Sequence, residues 1–253
     1  SPTPIPTLTP TPRCNIYIDS FVDMDPKNAR RLPSGWELKD SNGGRALVAP
    51  TGATPEFFLE QGMNYPPRYG PLAAVTPGTP GGLMTMLAEW GTMSLAEVLA
   101  PAMEMAAGYP IEAGAARGMS SNRRLIEQWK YSREVYFTNP EDEENPGPRA
   151  GEIFVQEDLL NTLTKLVEAE ADALASGKSR KEAIYAAFDR FYRGDIAEAI
   201  VAANREAGGL FTAEDLAGWE VKLEEPVKTS YRGIDVYKLT TWTQGPVLLQ
   251  ALN

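Results

Sequence analysis

Apolar residues recur at helical spacing through much of the chain, and several of these stretches carry their own start and stop signals. Residues 94–97, Ser-Leu-Ala-Glu, have the form of a capping box, and Gly108 stands where that helix would end. Residues 195–198 open another helix that the glycines at 208–209 close, and residues 212–215 cap a short one. A further helical face is formed by Leu159, Leu160, Leu163, Leu166 and Val167.

Shorter stretches near the beginning of the chain alternate in the manner of β-strands. Ile16, Ile18 and Val22 predict a strand, and the turn residues at 41–44 precede a second apolar stretch at 46–48. Together with the helices, these stretches indicate a chain of mixed α and β structure.

A strand pattern returns towards the end of the chain. Val221 and Leu223 predict one strand, Ile234 and Val236 a second, and residues 231–233 the turn between them. The last residues, 247–253, then read as the first turns of an apolar helix without a C-capping signal. We expect the native polypeptide to continue, or another chain to cover this apolar surface.

The beginning of the chain has a different composition. Residues 1–12 contain five prolines and four threonines, a mixture that favours an extended linker over a packed core. We therefore expect a linker at residues 1–14 and one partial domain at residues 15–253. Because such tracts often tether extracytoplasmic domains, we expect a secreted or periplasmic location, with a cytoplasmic one as the alternative.

Composition narrows the function classes. A chain of 253 residues, 43% of them hydrophobic, can bury a sizeable core, but its wholly apolar stretches are too short for a transmembrane helix. The net charge of −10 argues against a nucleic-acid-binding surface, because phosphate binding needs clustered Lys and Arg.

The types of residue present narrow the possible function classes further. The sequence contains no histidine, which excludes Ser-His-Asp and Cys-His catalysis and His-ligated zinc within this chain. Its single cysteine, Cys14, cannot form an internal disulfide or a thiolate cluster. Because histidine is absent and cysteine occurs once, chemistry on this chain would have to use carboxylates, hydroxyls, arginines, backbone amides or an amine. We expect no metal and no cofactor.

Four local motifs each allow a structural and a functional interpretation. The glycine-rich residues 77–82 form either a turn before a helix or an anion site, and the acidic residues 141–144 either a solvated loop or a cation site. Residues 189–195 form either a helix–turn–helix junction or a carboxylate site built on arginine. Residues 242–246 form either a capped helix start or a ligand-facing one. Taken alone, these motifs predict no particular reaction.

Five segments in the same order resemble the gamma-glutamyltransferase (gamma-glutamyltranspeptidase) family. The family motifs are GPLAVGVPGxVAGL, ELLAPAI, FYxGxIA, GGLLTxEDL and the final YRGYxVY…PPPSQGGxxLLQxLN. The matching segments are residues 70–83, 95–102, 191–197, 208–216 and 231–253. The resemblance covers roughly residues 43–253 and places them in the middle of the family's precursor, within the large subunit.

The resemblance implies a fold and a reaction. Members are N-terminal-nucleophile hydrolases with an α+β fold, a four-layer αββα sandwich that would be incomplete in this chain. Their catalytic threonine is the N-terminal residue of the small subunit, freed by self-cleavage, and its own α-amino group acts as the base. The resemblance therefore implies no catalytic residue in this chain, a small-subunit partner that carries the threonine, and a small-molecule amide as substrate.

The resemblance also implies substrate-binding residues. The family's RExAP arginine holds the substrate α-carboxylate, and aligning on residues 49–50 puts Ala46 at its place, with Arg45 one residue earlier. A one-residue offset in a strand turns the side chain to the opposite face, and a local bulge restores its aim. Arg45 is thus the candidate for carboxylate binding, and Gln244 and Gly245 are candidates to line the site.

Two hypotheses of different classes follow from the resemblance. In the first, the chain is part of the large subunit of a divergent amidohydrolase or acyltransferase that cleaves a gamma-glutamyl or related amide. In the second, it is a non-catalytic relative that serves as a structural or binding subunit. An unrelated binding domain with accidental matches is the third interpretation.

Overall fold

The computed structural model describes residues 49–240 and 243–253 of the chain. Backbone contacts divide the chain into two compact units, residues 47–221 and residues 1–46 with 222–253. The predicted linker at 1–14 and the predicted strands at 16–22 and 46–48 lie outside the described residues.

The unit formed by residues 47–221 is mostly helical. Its helices are α1 Pro55–Glu60, α2 Gly78–Trp90, α3 Leu95–Ala107, α4 Ala113–Ser121, α5 Arg123–Ile126, α6 Lys130–Tyr136, α7 Glu157–Ala175, α8 Arg180–Arg193, α9 Asp195–Glu206 and α10 Ala213–Ala217. Two short strands, β1 Tyr109–Pro110 and β2 Ile153–Phe154, pair antiparallel.

The main core of this unit surrounds α8. This helix buries its apolar residues in pairs one turn apart, at positions 183 and 184, 187 and 188, and 191 and 192. This spacing keeps one broad face of a 3.6-residue helix turned inward. Met84 of α2, Leu95 of α3 and Leu166 of α7 pack against that face. Of the five residues predicted for the α7 face, Leu166 is buried, whereas Leu159 is 43% exposed.

The predicted helix ends are confirmed. Ser94 and Glu97 form a reciprocal capping box at the start of α3, and Gly108 ends this helix with a φ of 143°. Thr212 and Asp215 form the same arrangement at the start of α10. Each box satisfies backbone N–H groups of a first helical turn, which have no partner inside the helix.

The described part of the other unit contains a hairpin and a helix. Strands β3 Val227–Tyr231 and β4 Ile234–Lys238 pair antiparallel, and α11 Gly245–Ala251 follows. Arg232 and Gly233 form the turn, with φ values of 51° and 80°. Two consecutive positive φ angles are typical of the tight turn that suits the twist of a hairpin.

The position of the first strand of this hairpin was predicted wrongly. Val221 and Leu223 lie in irregular chain, and the strand begins at Val227, directly after Pro226. Val221 packs against the helical core of its own unit, and Leu223 is 68% exposed. The apolar residues at 221 and 223 therefore do not belong to a strand: one contacts the helical core, and the other is exposed.

Helices and antiparallel strand pairs together make the described residues an incomplete α+β fold, as predicted. Within residues 49–240 and 243–253, no helix is both long and apolar enough to cross a membrane.

Candidate functional site

Gln244 and Gly245 lie where the hairpin leads into α11. Gln244 is the N-cap of this helix, and no side-chain hydrogen bond caps it there. The N–H of Gly245 donates to the Thr243 hydroxyl at 3.0 Å. Gly245 is buried, and a Cβ at this position would collide with the carbonyl oxygen of Leu239. Close backbone packing therefore accounts for the glycine, while the exposed Gln244 side chain remains available to a ligand.

The other predicted binding residue, Arg45, lies outside the described residues. The same holds for Ala46, which aligns with the family arginine, and for Trp242, which precedes the Gln244 segment. Their roles remain predictions.

The glycine-rich stretch at 77–82 is the beginning of a helix. Pro77 is the N-cap of α2, and residues 78–82 form its first turn and a half. The hydroxyl of Tyr192 accepts from the N–H of Gly81 at 3.1 Å and donates to the carbonyl of Pro77 at 2.5 Å. Burial raises the pKa of Tyr192 to about 12, so the group is a neutral phenol at physiological pH. The Tyr192 hydroxyl thus satisfies backbone groups at the start of α2, in agreement with the structural interpretation of residues 77–82.

Residues 189–195 form the α8–α9 junction, the structural interpretation of that motif. The Arg190 guanidinium contacts Asp195 at 2.9 Å, Glu168 at 3.2 Å and the carbonyl of Lys165 at 2.8 Å. The ammonium of Lys165 also contacts Asp195, at 2.8 Å. Hydrogen bonds from Arg190 and then Lys165 hold the pKa of Asp195 well below its ordinary range. Arg190 is therefore engaged in joining three helices.

The acidic residues 141–144 lie in a folded loop. The Asp142 carboxylate accepts from the N–H of Asn145 at 3.0 Å and from Arg149 at 2.9 Å, and it accepts from the N–H of Glu144 at 3.2 Å. Its neighbours Glu141 and Glu143 are exposed. Among the residues that the structure describes, no group of three or more potential ligands is arranged to hold a metal ion.

Two charged side chains that the sequence analysis missed hold the connection between α2 and α3. Glu170 of α7 is 2% exposed and accepts from the N–H groups of Leu95 and Ala96 at 2.6 and 2.9 Å. Arg180 of α8 donates to the carbonyls of Leu87, Ala88 and Met93 at 3.0 to 3.1 Å. An anion at a helix start and a cation at a helix end each complement the helix dipole.

Asp215 makes a second contact that sequence reasoning missed. Its side chain is fully buried, at 0% exposure. One carboxylate oxygen accepts from the N–H of Thr51 at 2.9 Å, and the other accepts from the N–H and hydroxyl of Thr212 at 2.9 and 3.0 Å. Burial alone would raise the pKa of Asp215, but the hydrogen bonds from Thr51 and Thr212 outweigh it and lower the pKa. The capping box was visible in the sequence, whereas a partner 164 residues away was not.

One open cleft of about 570 Å³ lies elsewhere in the helical unit. It is lined by Arg123, Arg133, Glu134, Phe137, Pro140, Glu143 and Pro146. Arg123 is already paired with Glu127 at 3.5 Å, and the two arginines and two glutamates of the lining balance in charge. None of the predicted binding residues lines this cleft.

Comparison with known proteins gives a match over most of the chain. The family model described as gamma-glutamyltranspeptidase matches residues 46–253. The glutathione hydrolase proenzyme of Bacillus subtilis is 27% identical over 211 residues, covering 81% of this chain and 32% of that protein. A glutathione hydrolase-like proenzyme of the same organism is 30% identical over 182 residues, covering 72% of this chain and 30% of that protein. The chain therefore spans about a third of the length of these curated relatives.

A solved structure gives the same match. The gamma-glutamyltranspeptidase of Helicobacter pylori is 30% identical, with a TM-score of 0.67 over 81% of this chain and 54% of that chain. This likeness confirms the predicted fold class, an α+β fold of the N-terminal-nucleophile hydrolase type that is incomplete in this chain.

Proposed function

The chain belongs to the gamma-glutamyltranspeptidase family, and from this premise we propose that it is part of the large subunit of a gamma-glutamyl amide hydrolase or acyltransferase. The family match over residues 46–253 is the observation that carries the proposal. The nucleophile is the N-terminal threonine of a small subunit, in a polypeptide segment outside this chain. Its α-amino group takes the hydroxyl proton as the oxygen attacks the amide carbon, and it gives this proton to the nitrogen of the leaving amine as the C–N bond breaks. The acyl group of the resulting acyl-enzyme is then transferred to water or to another amine, which frees the threonine hydroxyl again.

In this proposal, the chain supplies substrate binding. We assign the α-carboxylate of the glutamyl group to Arg45, whose guanidinium can donate two parallel hydrogen bonds to a carboxylate. We assign the wall beside it to Gln244 and Gly245. The exposed amide of Gln244 can donate to and accept from a polar substrate group, and the buried Gly245 keeps the chain close to Leu239.

An exposed apolar stripe on α2 supports the proposal that another polypeptide segment packs against this chain. Leu83, Met86 and Trp90 are 59%, 58% and 65% exposed, and their spacing of three and four residues puts them on one side of the helix. Contiguous apolar surface of this kind usually marks a contact with another protein segment. We propose that the processed small subunit and the remaining large-subunit segments supply such contacts.

Processing of the full-length gene product is the direct test. We would purify it from its native source and determine the intact masses and N-terminal sequences of its polypeptides. We expect two polypeptides, the smaller one beginning with threonine, and turnover of a gamma-glutamyl anilide. Replacement of that threonine by alanine should leave one uncleaved chain without activity.

A single chain without such a threonine would overturn the enzyme proposal. The alternative, a non-catalytic structural or binding subunit, would then apply. Ala46 at the family arginine position favours a second possibility within the enzyme class, namely a related acyl group without the glutamyl α-carboxylate. A preference for such a substrate over the gamma-glutamyl compound would identify this case.

We also propose an extracytoplasmic location, supported by the Pro/Thr-rich composition of residues 1–12. Cell fractionation of the source organism tests it. Recovery of the processed protein in the cytoplasmic fraction would contradict it.

A further inference from the structure

The open cleft of the helical unit lies between a helical side and a loop side. Its volume of about 570 Å³ falls within the range of small-molecule sites, about 300–1,000 Å³. The helical side is formed by α5 and α6, and the loop side by residues 140–146. The helical side supplies Arg123, Arg133, Glu134 and Phe137, and the loop side supplies Pro140, Glu143 and Pro146.

The two sides of the cleft differ in charge. Residues 123–137 carry four cationic and two anionic side chains, whereas residues 140–146 carry four anionic side chains and no cationic one. Arg149 pairs with one of these four, Asp142, at 2.9 Å. A purely anionic ligand would be repelled by the loop side, and a purely cationic ligand by the helical side. A molecule that carries both charges is attracted at both of its ends.

The loop side is held in place by its own hydrogen bonds. The N–H of Asn139 donates to the Pro146 carbonyl at 2.9 Å, and its side chain donates to the Gly147 carbonyl at 3.2 Å. Pro146 is buried, and the Asp142 carboxylate accepts from two backbone N–H groups of the loop. A fixed backbone therefore presents Glu143, so a ligand that binds there does not have to order the loop.

The two arginines of the lining differ in their contacts. The Arg123 guanidinium contacts Glu127 at 3.5 Å and the Glu144 carbonyl at 3.4 Å, so it links α5 to the loop. Arg133 is exposed on α6, and its guanidinium offers five N–H donors to a carboxylate. Phe137 follows four residues later, on the same side of the helix, and adds an apolar surface beside this charge.

We propose that this cleft binds a zwitterionic small molecule, in which a short apolar body joins a carboxylate and an ammonium group. Arg133 binds the carboxylate, Glu143 binds the ammonium group, and Phe137 contacts the apolar body. The inference goes beyond the proposed function and does not depend on it, because none of the residues assigned to the substrate lines this cleft. Since ion pairs at exposed positions are individually weak, we expect half-saturation at about 1–10 mM.

Photolabelling of the full-length gene product with three matched probes tests this inference. The first is L-photo-leucine, a zwitterionic amino acid with a diazirine in its side chain. The second is the same molecule without the amine, and the third is the same molecule without the carboxylate. The tryptic peptide that ends at Arg149 carries five of the seven lining residues, so mass spectrometry separates labelling at the cleft from labelling elsewhere. We expect the zwitterion to half-saturate this peptide at a concentration about two- to fivefold lower than either singly charged probe.

Two variants of opposite charge should give a crossed pattern. Arg133→Gln should weaken labelling by the zwitterion and the acid about two- to fivefold and leave the amine no weaker. Glu143→Gln should weaken labelling by the zwitterion and the amine by a similar factor and leave the acid no weaker. Arg124→Gln and Glu141→Gln are the controls, because they remove exposed charges that lie near these residues in the sequence but do not line the cleft. They should leave labelling by all three probes unchanged.

Several outcomes would overturn the inference. Equal labelling by the three probes, or labelling that rises without saturation, would mean an adventitious surface contact only. An equal loss for the acid and the amine in one variant would contradict the assigned charge pairs. Control variants that weaken labelling as much as the cleft variants would assign the effect to the general surface charge. If any of these results came with turnover of a gamma-glutamyl anilide, the proposed function would stand and only this inference would fail.

Discussion

Gly81 and Gly82 are neighbours in the first turns of α2, yet their surroundings differ. A Cβ on Gly81 would collide with the Trp219 ring and would lie 2.8 Å from both the Phe188 ring and the Tyr192 hydroxyl. A Cβ on Gly82 would meet nothing within 4 Å. The first glycine is therefore required by ring packing, whereas the second only adds backbone freedom to a helix.

The two glycines make a matched pair of variants. We expect Gly81→Ala to lower the unfolding free energy by about 1–3 kcal/mol, because the packed rings must move. Gly82→Ala should raise it by roughly 0.5–1 kcal/mol, because alanine loses less backbone entropy in a helix. Urea denaturation followed by circular dichroism measures both. Equal effects of the two substitutions would contradict the packing explanation.

At the scale of elements, helices α7 and α8 act together on the connection between α2 and α3. Glu170 binds the first N–H groups of α3, and Arg180 binds the last carbonyls of α2. These contacts flank residues 91–94, which link the two helices, and Arg180 also donates to the carbonyl of Met93 within this link. The local capping box of α3 thus supplies only some of the hydrogen-bond partners at the start of this helix, and the distant carboxylate of Glu170 supplies the others.

Removing the charge of Glu170 should have a larger effect than removing an exposed charge from the same helix. We expect Glu170→Gln to lower the unfolding free energy by about 1.5–3 kcal/mol, the range for hydrogen bonds to buried charged groups. Glu168 is 56% exposed in its pair with Arg190. Glu168→Gln should therefore cost about 0–1 kcal/mol. Chemical denaturation of both variants is the measurement, and equal losses would refute the capping role.

At the scale of the whole molecule, acid sensitivity follows from the carboxylates. Among the described residues, the carboxylates with lowered pKa are Glu89, Glu97, Asp142, Glu152, Glu182, Asp195 and Asp215. A carboxylate whose pKa is lower in the folded state stabilises the fold above its unfolded pKa, near 4. This stabilisation is lost as the pH falls towards the folded pKa.

We therefore expect the unfolding free energy to decline as the pH falls from about 5 to 3. Asp195→Asn should reduce the slope of this decline, because the asparagine cannot titrate. Urea titrations at several pH values measure the slope for the variant and the unsubstituted protein, and identical slopes for the two would contradict the role of Asp195.

The sequence predicted much of this molecule where the signals are local. The capping boxes at Ser94 and Thr212 and the turn at Arg232 each occupy four residues or fewer, so their chemistry is readable in one stretch. The bonds of Tyr192 to the start of α2, and of Asp215 to Thr51, join residues more than 100 positions apart. No periodicity signals such pairs, because packing of the whole unit creates them.

The candidate binding site likewise combines features that local sequence predicts with features that depend on distant parts of the fold. The segment around Gln244 was predicted to begin a helix, and α11 begins at Gly245. The burial of Gly245 against the Leu239 carbonyl depends on how the hairpin returns, which no local pattern encodes. Arg45 came from family resemblance alone, and it stays a prediction.

The contacts that Glu170 and Arg180 make with the ends of α3 and α2 also constrain the length of the connection between these helices during evolution. Residues 91–94 and residues 176–179 are both short connections between helices. An insertion in the first would pull a helix end away from its charged partner, so selection should hold its length constant. The second is exposed, and Gly177 has no neighbour near its missing Cβ, so extra residues there would disturb little. Length variation among homologues should therefore collect at the α7–α8 turn and leave the α2–α3 connection alone.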